Sequence, residues 1–155
     1  MGVERRLSLP LLRTHLRDVQ VMVDEALEGA DEELKNASVM VASELSENVV
    51  KYGEPLPGHE SYVEVRYEPS EVVIVAANGV VDATRVQNLA GVLERIDQAA
   101  DPRDPYVERM RDILASPEKS GSQLGLLRIA YEGRFRLSYA YRDRLLTITA
   151  YRGIG

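Results

Sequence analysis

Apolar residues recur along the first third of the chain at helical spacing. Leu12, Leu16, Val19, Val23 and Leu27 follow one another at intervals of three and four, and Gly29 closes the run. Pro10 suits the first turn of such a segment. A helix is therefore expected over about 10–29, entered through the short apolar stretch Leu7-Ser-Leu-Pro-Leu-Leu. A second stripe holds Leu34, Ala37, Val41, Leu45, Val49 and Tyr52. Asp31 stands where a cap belongs, and Gly53 where a left-handed residue would end the helix. The next residues, Gly53-Glu-Pro-Leu-Pro-Gly-His, carry two prolines and two glycines and exclude regular structure.

The period then changes from helical to alternating. Tyr62-Val-Glu-Val-Arg-Tyr67 reads as a half-buried strand, and Glu68-Pro-Ser as a turn. Glu71-Val-Val-Ile-Val-Ala-Ala77 is almost wholly apolar, which suits a central strand covered on both sides. Asn78-Gly79 is expected to break it. Asp82 can cap a helix through Val86, Leu89, Val92, Leu93 and Ile96. Asp101-Pro-Arg-Asp-Pro is a break, and Tyr106 to Leu114 a further helical segment. Ser116-Pro-Glu-Lys-Ser-Gly-Ser-Gln reads as a polar loop before a short helix over Leu124 to Tyr131. Phe135, Leu137, Tyr139 and Tyr141 then alternate with polar residues, Asp143 sits in a turn, and Leu145 to Tyr151 returns as the hairpin partner. Helices, a strand pair, more helices and a closing hairpin favour an α+β fold. Its form would be a two-layer sandwich, with helices on one face of a mostly antiparallel sheet.

Composition narrows the function classes. A chain of 155 residues is long enough for one domain with a real core, so 1–155 is taken as a single unit. A net charge of −6 argues against a nucleic-acid surface. Cysteine is absent, which removes disulfides, thiolate zinc sites and thiol nucleophiles. The two histidines, His15 and His59, lie far apart and in no ligand pattern. No apolar run reaches the length of a membrane helix, and Met-Gly-Val-Glu-Arg-Arg lacks the apolar core of a signal peptide. A cytoplasmic location is the expectation.

The second helical stripe carries the candidate chemistry. Glu44 and Asn48 lie one turn apart at its border, so their side chains point the same way. An amide oxygen there can hold hydrated Mg²⁺, and a carboxylate can orient or deprotonate a hydroxyl. The same spacing also occurs on ordinary exposed helices, and Glu47 with Lys51 reads as a surface pair. Gly121 and Gly125 bracket a helix start at Leu124, where backbone N–H groups can cradle phosphates; a plain loop-to-helix junction would look the same. Asn78-Gly79 has its own simple reading as a turn between strand and helix.

Taken in order, these places resemble the motifs of the GHKL (Bergerat-fold) ATPases. The best match is to the anti-sigma-factor serine kinases and the SiaB-type bacterial protein kinases. Glu44-Leu-Ser-Glu-Asn48-Val-Val-Lys-Tyr52-Gly53 resembles the family's N-box. Ala76-Ala-Asn-Gly-Val falls where the family has its Asp-x-Gly box, and Ser120-Gly-Ser-Gln-Leu-Gly-Leu-Leu-Arg-Ile where it has its glycine loop. The resemblance covers about residues 30–151 and implies a histidine-kinase-like ATPase fold binding ATP and Mg²⁺. It implies that Asn48 holds the metal and Glu44 activates an acceptor hydroxyl. Lys51 would meet phosphate, although a solvated lysine is the simpler reading. Asn78 and Gly79 would contact adenine, and Gly121, Leu124 and Gly125 would close over the triphosphate.

Two positions depart from the pattern. The carboxylate that accepts a hydrogen bond from adenine is replaced by Ala77, and the middle glycine of the third box by Gln123. Loss of a hydrogen bond to a charged acceptor costs roughly 1.5–3 kcal/mol, or about ten- to a hundredfold in affinity. Two functions therefore stand side by side. One is a Ser/Thr protein kinase of a partner-switching circuit, acting on a small regulatory protein. The other is a nucleotide-degenerate module of the same fold that sequesters such a protein. Relatives often form homodimers, and the first helix has an apolar stripe that would suit either an interface or the core.

Overall fold

The computed structural model describes residues 2–8, 13–101, 103–115 and 122–154. Among them, five strands form one antiparallel sheet in the order β1-β2-β3-β5-β4, with five α-helices packed on it. The strands are β1 Val3–Ser8, β2 Tyr62–Tyr67, β3 Glu71–Gly79, β4 Arg136–Arg142 and β5 Leu145–Gly153. The helices are α1 Leu16–Ala26, α2 Glu32–Tyr52, α3 Ala83–Gln98, α4 Arg103–Ala115 and α5 Ser122–Tyr131. The α+β class read from the sequence is therefore the observed one.

The register explains the core. Val65, Ile74 and Ala150 lie in one cross-strand row, and Val63, Ala76 and Ile148 in the next. All six are buried on the face that meets the helices, together with Val41, Leu45 and Val49 of α2. Side chains of neighbouring residues point to opposite faces, so Val73, Val75 and Ala77 lie on the other side of β3. Glu64 is buried on that second face, where it pairs with Arg6 at 2.7 Å and Arg66 at 3.4 Å. Antiparallel pairing across β3 and β5 makes β3 the central strand, as its apolar run predicts.

Several local expectations change. The apolar entry at Leu7 belongs to a strand, β1, whose mixed sequence Val-Glu-Arg-Arg-Leu-Ser carries little strand signal. Its pairing partner supplies the order: β2 leaves an open edge of N–H and C=O groups that β1 satisfies. The first helix starts as a 3₁₀ turn at Arg13–His15 before α1; residues 9–12, including Pro10, lie outside the described residues. Asp31 occupies the cap position of α2 without making a side-chain cap bond, while Glu32 and Glu33 place negative charge in the first turn. Gly53 has φ −66°, so it does not supply a left-handed turn. It is glycine for space, since a Cβ would collide with the carbonyl of Val49 and lie 3.2 Å from Cβ of Asn78.

Asn78 and Gly79 do not break the strand. They extend β3, paired with Leu146 and Leu145, and Glu54 N–H donates to Gly79 O at 2.9 Å. Asp82 caps α3 as expected, accepting from Thr84 N–H at 2.9 Å. Helix α4 begins at Arg103, earlier than expected, because Asp101 accepts from the Arg103 N–H at 2.9 Å and Pro105 is tolerated in a first turn. The loop read over 116–123 falls largely outside the described residues, with α5 already formed at Ser122. The closing hairpin turns through Asp143 (φ 52°) and Arg144 (φ 67°), two left-handed residues that match strand twist.

Candidate functional site

Helix α2 and strand β3 bring Asn48 and Asn78 into one cavity of about 240 Å³. Its floor is apolar, built by Val80, Leu126, Leu146 and Ile148, and α3 closes one side with Leu89. Tyr52, Arg85 and Asn88 complete the lining. Arg85 is the only charged residue among the described ones that line it, and its guanidinium stands 5.9 Å from the Tyr52 ring centre, within cation–π range. An apolar floor with a few convergent polar groups and one cation suits a flat ring carrying a negative group.

Strand alternation decides which of Ala77 and Asn78 reaches this cavity. Asn78 pairs with Leu146, and both line it; Ala77 pairs with Thr147 and faces the other side of the sheet. Asn78 is only 5% exposed. Its amide Nδ2 donates to Gly79 O at 3.1 Å, and its Oδ1 accepts no hydrogen bond among the described residues. That oxygen is therefore free to accept a hydrogen bond from a ligand or water in the cavity. The missing Cβ of Gly53 lets α2 end directly against Asn78 and hold it there.

Glu44 lies one turn from Asn48 in quite different company. Its Oε1 accepts from Arg128 Nη1 of α5 at 2.9 Å. Arg128 Nε also donates to Glu132 at 2.6 Å, and the Tyr106 hydroxyl donates to Glu132 at 3.3 Å. The hydrogen bond to Glu132, with a smaller contribution from Glu44, raises the Arg128 pKa above the ordinary arginine value. Burial, followed by the charge of Glu132, raises the Tyr106 pKa. The second carboxylate oxygen of Glu44 occupies the space beside Gly125, where a Cβ would lie 2.5 Å from Oε2. Gly125 thus makes room for a carboxylate.

The remaining candidates fall in different places. Leu124 is half-buried and outside the cavity lining; its neighbour Leu126 takes that place. Lys51 is exposed on the last turn of α2, and is not in the lining either. Gly79 faces the Glu54–Leu56 loop, where a Cβ would collide with the Glu54 carbonyl. Gly121 lies outside the described residues, as does the side chain of Gln123. Arg85 and Asn88 escaped the sequence reading. Their spacing from Leu89 on a capped helix placed them on one face, but nothing local said that this face meets β3.

Magnesium would find one protein ligand here. The Asn48 amide makes no hydrogen bond among the described residues, so its oxygen is available. No cluster of three or more His, Asp or Glu side chains that could hold a metal occurs among them. The other positions would fall to phosphate oxygens and water, a usual arrangement for this ion. No protein-family model matches the chain, and no relative is found among the curated proteins. None of the described helices is long and apolar enough to cross a membrane.

Proposed function

We propose that this chain is a nucleotide-binding regulatory protein that transfers the γ-phosphoryl group of Mg-ATP to a Ser or Thr hydroxyl of a small cytoplasmic partner. The observation that carries this reading is the meeting of Asn48 and Asn78, each with an unengaged side-chain oxygen, in one apolar-floored cavity. Asn78 Oδ1 would accept from the exocyclic amine of adenine, while the floor takes the ring. Asn48 would hold Mg²⁺ on the phosphates, and Arg85 adds positive charge at the rim. Glu44 is the candidate base: it takes the proton of the acceptor hydroxyl as the new P–O bond forms and ADP leaves. Phosphoryl transfer asks chiefly for positioning and charge neutralisation, which so small a set can supply.

A second reading has its own support. The cavity is smaller than the roughly 300–1,000 Å³ common for ligand sites. Glu44 is already engaged by Arg128. Both facts suit a module that keeps the fold and sequesters a regulatory protein without turnover. Isothermal titration with ATP, with and without Mg²⁺, separates the two. Magnesium-dependent binding that Asn48→Ala removes is the result expected of the kinase. Absence of binding at millimolar ATP overturns it and favours sequestration.

A further inference from the structure

Arg128 stands in the stretch that resembles the glycine loop but has no role in that resemblance, and among the described residues it is the cation paired with Glu44. The pair spans 84 residues of sequence and ties α5 to α2. Helix α5 meets the Glu44 carboxylate twice, through the cleared space at Gly125 and through the guanidinium one turn later. Glu132 anchors the Nε edge of that guanidinium at 2.6 Å. The Arg128 side chain remains 44% exposed, so solvent and ligands reach it. One cation is thus shared by two carboxylates, Glu132 on its Nε and Glu44 on its Nη1.

We propose that Arg128 is a latch on Glu44, released by the terminal phosphate of a bound nucleoside triphosphate; this rests on the nucleotide reading of the cavity. With no triphosphate present, Arg128 occupies Oε1 and keeps the base from a hydroxyl. A γ-phosphate beside Asn48 offers the fork two oxygens and more negative charge than one carboxylate does. Anchored at Glu132, the guanidinium turns from Glu44 to the phosphate without leaving its helix. Glu44 then becomes free only when the phosphoryl donor is in place. A diphosphate lacks the group that draws the arginine away.

The test is titration of the full chain with Mg-ATP and Mg-ADP. It compares wild type, Arg128→Gln, Arg128→Lys, Glu44→Gln and the Arg128→Gln/Glu44→Gln double variant, each checked for folding by thermal melt. Arg128→Gln should weaken ATP about tenfold and leave ADP within about twofold, the scale of one lost charge-assisted contact. Arg128→Lys should recover part of the ATP loss. Glu44→Gln removes the competing partner and should tighten ATP about threefold or more, with that gain shrinking in the double variant. A clamp that only joins the helices would move ATP and ADP in parallel, which overturns the latch alone. So does a Glu44→Gln gain that persists undiminished without Arg128, because simple charge repulsion then explains it. Wild type that binds neither nucleotide overturns the proposed function, and the latch with it.

Discussion

Glu44 and Asn48 stand one turn apart on the same helix, yet their surroundings are opposite. Glu44 is satisfied within the protein, by an arginine from α5 and a space kept clear by Gly125. Asn48 faces a cavity with no hydrogen-bond partner among the described residues, and Asn78 across from it holds an equally unengaged oxygen. Two residues of one motif thus differ in what they ask for. The carboxylate has its partners within the fold, whereas the amide oxygens have room for one from outside it. The difference teaches that a motif fixes spacing, and the elements packed against it fix readiness.

The strongest way to break the comparison is to remove the support both residues share. Leu45 is fully buried between them on α2. Leu45→Ala should cost about 2–5 kcal/mol in urea unfolding, through lost transfer energy and the cavity left behind. Asn78→Leu sharpens the comparison from the open side. It trades the Nδ2–Gly79 O bond for an apolar side chain of similar size on an apolar floor, and Gly79 O keeps the Glu54 N–H, so the unfolding midpoint should change little. Nucleotide affinity should fall by about tenfold or more, roughly 1.4 kcal/mol, by titration. A parallel fall in stability would show that Asn78 is structural.

On the paired side the expected energies are smaller. Glu44 and Arg128 are 21% and 44% exposed, so a double-mutant cycle with Glu44→Gln and Arg128→Ala should give about 0.2–1 kcal/mol of coupling in stability. A coupling near zero would mean that solvent already screens the pair. The far end of α2 offers the mildest test. Glu33 accepts from Arg152 at 2.9 Å, and this hydrogen bond lowers the Glu33 pKa below the usual carboxylate value. A lowered folded pKa means stability that is present at neutral pH and lost as pH falls through it. Glu33 is 59% exposed, so the loss should stay under about 1 kcal/mol. Arg152→Ala should show it as a difference in unfolding midpoint from wild type that shrinks between pH 7 and pH 3.

Much of the fold was legible because its elements repeat at their own periods. The stripe from Leu34 to Tyr52 matches α2 to within two residues at its start, and the apolar run before Asn78 is the central strand. Asp82 caps α3 for the local reason expected of it. Illegible features depend on partners distant in sequence. Strand β1 carries three charges in six residues, and only pairing with β2 orders it. Gly53 and Gly79 resemble turn signals, yet both are glycine for space: a Cβ on Gly53 would meet the Val49 carbonyl and crowd Asn78, and one on Gly79 would meet the Glu54 carbonyl of the loop after α2.

The candidate site divides along the same line. Helical periodicity by itself determined that Glu44 and Asn48 share a face, since 3.6 residues per turn leave no other choice. Strand alternation determined that Ala77 and Asn78 face opposite ways once β3 is known to run through both. Tertiary structure alone decided which of those two faces the cavity, that Arg85 and Asn88 line it, and that Arg128 reaches Glu44 across 84 residues. Those facts come from which surfaces pack together. Packing is settled by the burial of the whole core, and no short stretch of sequence carries that information.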